Sequence, residues 1–438
     1  MRRIRWFDAE SDDPSAPVAW PLAALVLSTL FLNIWFCEFY VAGFGPRCPL
    51  PLYVIFQGAF ALIVTALFFM GPALAAQAAG RPLFGVVENA LGSIPALGLR
   101  LICVLYLVLW IAGLVAVPVR VSSPILGRDV SPTEAGLFAA ALLVFLFATG
   151  LQSLRNGAKL ALFTNKLAIA ILVAALIRVH EGWPDALDIF TAPGGRPWFW
   201  AWRRLSLLAA YVAPLALLAA DFGHRCRERR QEAMTGLMGI GLPLFGTLVV
   251  VGVINAVTLA SPLYQPSLSP SILLALWSQT ARSAQPARMM VAAITLFGAV
   301  RFGAMALART ASIRVPGPRR GLVLLGCFIG AIAWSSLHPY SPAFTAAFDW
   351  SARCLALAGA VVTVDYVTGR RRIEQARRVD WIGLIALLAG LATPLFVPHG
   401  PVDLAWLLPS YLVGFFVCLC GRAAQKLYRL PQAGARLA

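Results

Sequence analysis

Long uncharged stretches follow one another along almost the whole chain. LICVLYLVLWIAGLVAV (101–117) is one of them. A helix needs about 20 mostly apolar residues to cross a bilayer core. Runs of that kind fall at roughly 18–42, 50–77, 95–120, 132–150, 159–179, 200–220, 235–259, 287–309, 320–337, 343–368, 380–397 and 404–424. In hydrocarbon each backbone N–H and C=O must find a partner within its own segment or a closed barrel. Barrel strands are short and alternate in polarity, and these runs do neither. The chain of 438 residues is 60% hydrophobic and 13% charged, about half the charge of a soluble domain. The sequence therefore predicts an all-α integral membrane protein of about twelve spans.

The first 17 residues are polar and lack an apolar h-region, so they read as a tail and not as a cleaved signal. The net charge is +17. With the N-terminus inside, Lys and Arg gather on alternate loops, as at Arg225, Arg227, Arg229 and Arg230, and again at Arg370, Arg371, Arg372, Arg377 and Arg378. That alternation is the positive-inside pattern. It predicts cytoplasmic N- and C-termini in the cell membrane, with the lipid bilayer and not nucleic acid as the partner of the charge. The eight cysteines form no disulfide framework or zinc spacing. No phosphate loop, metal pair or nucleophile elbow appears. The chain reads as a non-enzyme without a cofactor, H+ or Na+ being the small ions it would use.

Several residues depart from a plain bundle. Pro214 lies inside the sixth run and marks a candidate helix break, since proline removes a backbone bond and clashes with the turn before it. Broken helices of that kind line substrate cavities in transporters. Tyr211 lies one turn earlier. Trp110 stands near the middle of the third run, away from the interfaces that Trp prefers. It serves either helix packing or the stacking of a planar ligand. Arg301 and Glu38 lie within the eighth and first runs, and each costs about 2.5–3.5 kcal/mol on insertion scales. They form either a structural pair or a substrate and coupling site. Asn33 raises the same question.

Some motifs carry a resemblance. Asp221-Phe222 followed by His224-Arg225 ends the sixth run. Asp365-Tyr366 ends the tenth before a basic loop, and Trp381 opens the eleventh. The segment Gly80 to Gly92 (GRPLFGVVENALG) precedes the third, which holds Trp110. Together these resemble the nucleobase:cation symporter-1 family of purine and cytosine permeases. The resemblance implies a LeuT-type five-plus-five inverted repeat with two extra C-terminal helices. It implies a tail at 1–17, repeats at 18–179 and 180–368, extra helices at 369–424 and a second tail at 425–438. It also implies a midplane substrate site with Trp110 and Tyr211 on either side of a planar ring.

Leu114 stands where the family carries Gln. Thr295 and Leu296 stand where it carries a Ser/Thr pair for sodium, and Arg301 where it carries Asn. The Arg301 guanidinium either replaces the lost cation or binds an anionic substrate group. Coupling then runs on protons through Glu38, or is absent. Asp221 reads either as the partner of a loop arginine in an inner gate or as a solvated helix end, and Asp365 is placed with the gating residues. The function expected is a permease for a small planar nitrogenous compound such as a nucleobase, working by alternating access. An amino-acid permease of the same fold, or a receptor that binds without transport, is the alternative.

Overall fold

The computed structural model describes residues 20–31, 50–126, isolated positions between 131 and 170, 209–221 without 211, 226–250 without 227, 342–369, 378–396 and 407–434. The elements are α1 (Trp20–Phe31), α2 (Leu50–Ile63), a π-helical segment π1 (Val64–Met70), α3 (Gly71–Ala79), α4 (Leu83–Leu91), α5 (Ser93–Leu126), α6 (Arg229–Gly236), a second π segment π2 (Leu237–Gly241), α7 (Pro342–Val367), α8 (Trp381–Ala392) and α9 (Leu407–Gly434). α2, π1 and α3 form one continuous apolar rod. Among the described residues, four helices are long and apolar enough to cross a membrane: Val54–Ala79, Arg229–Val250, Ala346–Val367 and Leu407–Tyr428.

Two boundaries differ from the sequence reading. The last helix does not stop near 424 but continues to Gly434. Residues 423–428 (AAQKLY) are mostly good helix formers. The second difference is α4. Gly80 ends α3 with φ 59 in the left-handed region, and Pro82 then starts a separate short helix from an extended conformation. A glycine just past one helix and a proline at the start of the next are ordinary stop and start signals. α4 buries Leu83, Phe84, Val86, Val87, Ala90 and Leu91 on one face.

Small residues let the helices approach closely. A Cβ on Gly239 would lie 2.9 Å from Leu27 Cβ, and one on Gly236 would lie 2.8 Å from the Phe69 ring. α6 and π2 therefore lie flush on α1 and π1. Leu357 of α7 seats against both Gly390 and Gly414, binding α8 and α9 to α7. Without a hydrophobic drive between helices in lipid, such small-residue contacts carry much of the association.

The π turns leave backbone groups for side chains to satisfy. Tyr411 of α9 donates its hydroxyl to Leu67 O in π1 at 3.0 Å, and its ring meets Phe68 edge-on at 4.8 Å. The Phe31 carbonyl of α1 accepts from Thr247 Oγ1 at 2.7 Å, a buried bond. π segments of this kind recur at functional sites.

Candidate functional site

Trp110 lies midway along α5 and is almost fully buried. Among the described residues its indole Nε1 has no hydrogen-bond partner. A buried indole N–H normally finds one, so Trp110 offers both a flat face and an unused donor. One turn earlier, Tyr106 packs on Phe348 of α7, with ring centroids 5.0 Å apart and planes at 37°. That contact fixes α5 against the N-terminal part of α7. Leu114 follows Trp110 by one turn of the same helix.

Next to Phe348, Asp349 is fully buried and pairs with Arg353 one turn on. Among the described residues, Asp349 Oδ1 and Arg353 Nε have no partner, nor do Gln57 Oε1 of α2 and Ser410 Oγ of α9. A buried ion pair with unsatisfied atoms is costly, because desolvation is only partly repaid. Asp349 was not singled out from the sequence. The i, i+4 spacing of opposite charges inside an apolar run was the available signal.

The other polar centre lies at the arginine-rich end of the bundle. Arg422 of α9 is buried there. Its Nε and Nη2 donate to Asp365 Oδ1 and Oδ2 at 2.6 and 3.3 Å. Its Nη1 donates to Asp380 Oδ2 at 3.3 Å, and Nη2 reaches the Ala90 carbonyl of α4 at 3.3 Å. Asp380 also caps α8 by accepting from Gly383 N at 3.0 Å. Its own N–H donates to Leu91 O at 2.8 Å. Gly92, with φ 98, has no room for a Cβ, which would fall 2.7 Å from the Arg378 carbonyl.

Asp221 meets the opposite end of α4. Its Oδ1 accepts from the Leu83 backbone N–H at 2.9 Å, so a carboxylate from a distant helix supplies the N-terminal cap that Pro82 cannot. Asp221, read from the sequence either as a gate acid or as a solvated helix end, accepts this bond at a helix start. Beside it, the Gln77 carboxamide donates to Cys226 O at 3.1 Å. Burial pushes the Cys226 thiol above its usual pKa. Glu88 of α4 pairs with Arg100 of α5 at 3.3 Å, and Arg100 lies 5.8 Å from the centre of the Phe84 ring.

Pro214 is buried, and residues 212–219 are helical through it, as are 209 and 210. The chain is therefore not unwound at Pro214 itself. Tyr211, Arg301, Asn33, Glu38 and Thr295 lie outside the described residues, as does the side chain of Leu114. Trp110 is thus the one expected substrate residue whose side chain is described.

This arrangement is the LeuT-type fold, shared with membrane symporters. The chain aligns with Mhp1, a nucleobase-cation-symport-1 family transporter, in a closed conformation with bromovinylhydantoin bound. The TM-score is 0.68 at 14% identity, over 95% of each chain. A substrate-bound, outward-open Na+-coupled sialic acid symporter aligns at a TM-score of 0.63 and 11% identity, over 93% of this chain and 90% of that one. MhsT in complex with L-phenylalanine aligns at 0.60 and 13%, over 92% and 96%. No family model matches the sequence, and no curated protein matches it significantly. The chain is a multi-pass membrane protein of this fold.

Proposed function

We propose that the protein is a secondary active transporter of the nucleobase–cation symporter-1 type. It carries a small planar nitrogenous compound across the cytoplasmic membrane by alternating access. The observation that carries this reading is Trp110, buried at the middle of α5 with an unused indole N–H, in a chain of symporter fold. A neighbour of that fold holds bromovinylhydantoin, a planar nitrogen heterocycle. Aromatic stacking on a base is worth about 1–3 kcal/mol. Tyr211 supplies the opposite face, and Arg301 and Asn33 the polar edge. Coupling uses protons, or no ion, in place of sodium, since Thr295 is followed by Leu296. The chain has no catalytic role and both its termini face the cytoplasm.

A thermal-shift screen tests the substrate class, because a ligand that binds only the folded state raises its apparent stability. Hydantoin, cytosine, uracil and allantoin are expected to stabilise the purified protein, and Trp110→Ala to abolish the shift while Trp110→Phe keeps part of it. A shift with amino acids alone would support the second reading, an amino-acid permease, which the neighbour holding L-phenylalanine favours.

A further inference from the structure

Glu232 lies in the first turn of α6 and is fully buried. Neither carboxyl oxygen, Oε1 or Oε2, has a hydrogen-bond donor. α6 packs against α1, π1, α3 and π2. One turn beyond Glu232, Gly236 rests on the Phe69 ring and the Met70 sulfur, so this face of α6 looks into the seam with the second helical rod.

The groups around that seam can be named. α1 (WPLAALVLSTLF), π1 (VTALFFM), α3 (GPALAAQAA) and π2 (LMGIG) contribute no charged or titratable side chain. Gln77 of α3 commits its N–H to the Cys226 carbonyl, and Thr235 donates to the Gln231 carbonyl at 2.8 Å. Among the described residues, the nearby titratable groups are the buried Cys226 thiol and the exposed Glu228, Arg229 and Arg230 at the helix start. Among the described residues, nothing hydrogen-bonds the acid. A carboxylate buried without a pair or a donor is so costly that such groups take up a proton instead.

We propose that Glu232 is a proton-binding site of the transport cycle. In the packing seen here the carboxyl is neutral. When the seam between α6, α1 and α3 parts and water enters, the O–H bond breaks heterolytically. The electron pair stays on the carboxylate oxygen and the proton leaves on water. Closure of the seam re-forms the O–H bond. The proposal rests on the reading of the chain as a transporter, and it gives the proton coupling of that reading a described residue.

Infrared spectroscopy of the full-length protein in lipid reads the site without any substrate. The wild type is expected to show the carbonyl stretch of a protonated carboxylic acid at neutral pH, shifting slowly on transfer to D2O. Glu232→Gln is expected to lose that band, while Glu228→Gln, on the exposed acid, keeps it. A band unchanged in Glu232→Gln overturns the proposal. Glu232→Asp, which keeps a carboxyl in the slot, serves as the check on folding and is expected to retain a protonated band.

Uptake of radiolabelled hydantoin into proteoliposomes then reads the coupling. An inward proton gradient is expected to speed wild-type uptake several-fold and to leave Glu232→Gln unaffected, with hydantoin exchange retained. Equal acceleration of both proteins makes Glu232 a structural acid and overturns the proposal. If the wild type takes up no hydantoin, the substrate reading has failed, and the infrared band alone decides the proton site.

Discussion

Arg422 of α9 and Asp365 of α7 meet in a two-pronged pair, with Nε to Oδ1 at 2.6 Å and Nη2 to Oδ2 at 3.3 Å. The same guanidinium holds Asp380 and the Ala90 carbonyl. One planar fork thus joins α7, α8, α9 and α4, a geometry that a lysine ammonium cannot reproduce.

Removing that guanidinium leaves two buried acids facing each other. Breaking one partner of a buried pair costs about 3–5 kcal/mol. Arg422→Met is expected to lower the melting temperature strongly, and Arg422→Lys to recover only a part. Asp365→Asn is expected to be milder, because Asp380 still balances the charge. Thermal unfolding in detergent checks the order.

Asp221 acts as the cap of a helix on another part of the chain. Loss of a helix cap costs about 0.5–2 kcal/mol. Asp221→Ala is expected to speed hydrogen exchange of the amides at the start of α4, while Asp221→Asn, which still offers an acceptor, changes them little. Exchange mass spectrometry of peptides covering 80–95 reads this.

Gly239 leaves no room for a side chain between π2 and α1. Overpacking of this kind costs about 1–3 kcal/mol. Gly239→Val is expected to destabilise the protein, and Gly246→Ala, at a glycine with open space around it, to be neutral. A paired melting measurement separates the two.

The Cys226 thiol lies outside the spanning helices, and burial raises its pKa. Only the thiolate reacts. Alkylation of Cys226 by iodoacetamide is therefore expected to be slower at neutral pH in the folded protein than in the denatured chain, and to rise only as the pH becomes alkaline. Mass spectrometry of alkylated peptides across a pH series tests it.

The apolar runs made the helical class legible, because backbone satisfaction in lipid admits few solutions. The position of α5 around Trp110 and the last residues of α7 at Asp365-Tyr366 followed from the same pattern. Asp365 stood out as an acid ending an apolar run, but its partner did not. Arg422 lies 57 residues further on and looks like any other arginine after a span. Asp221 was legible as a helix-end acid, yet its partner is a backbone N–H, which no side-chain pattern encodes. Glu232 was hidden for the opposite reason. It sits beside Glu228, Arg229 and Arg230 in a charged stretch, and only packing reveals that its side chain turns inward. The π segments left no mark either, since they arise from how two rods fit together.

The nine residues of α4 are pinned at both ends. Asp221 holds the first amide, and Arg422 with Asp380 holds the last carbonyls. A bar fixed at two points passes displacement from one pin to the other without any contact between them. A shift of the helix that ends at Asp221 therefore reaches α8 and α9 as a push along α4. α8 and α9 then bear load, and the stiffness of a nine-residue bar sets how far one end of the protein can move before the other must follow.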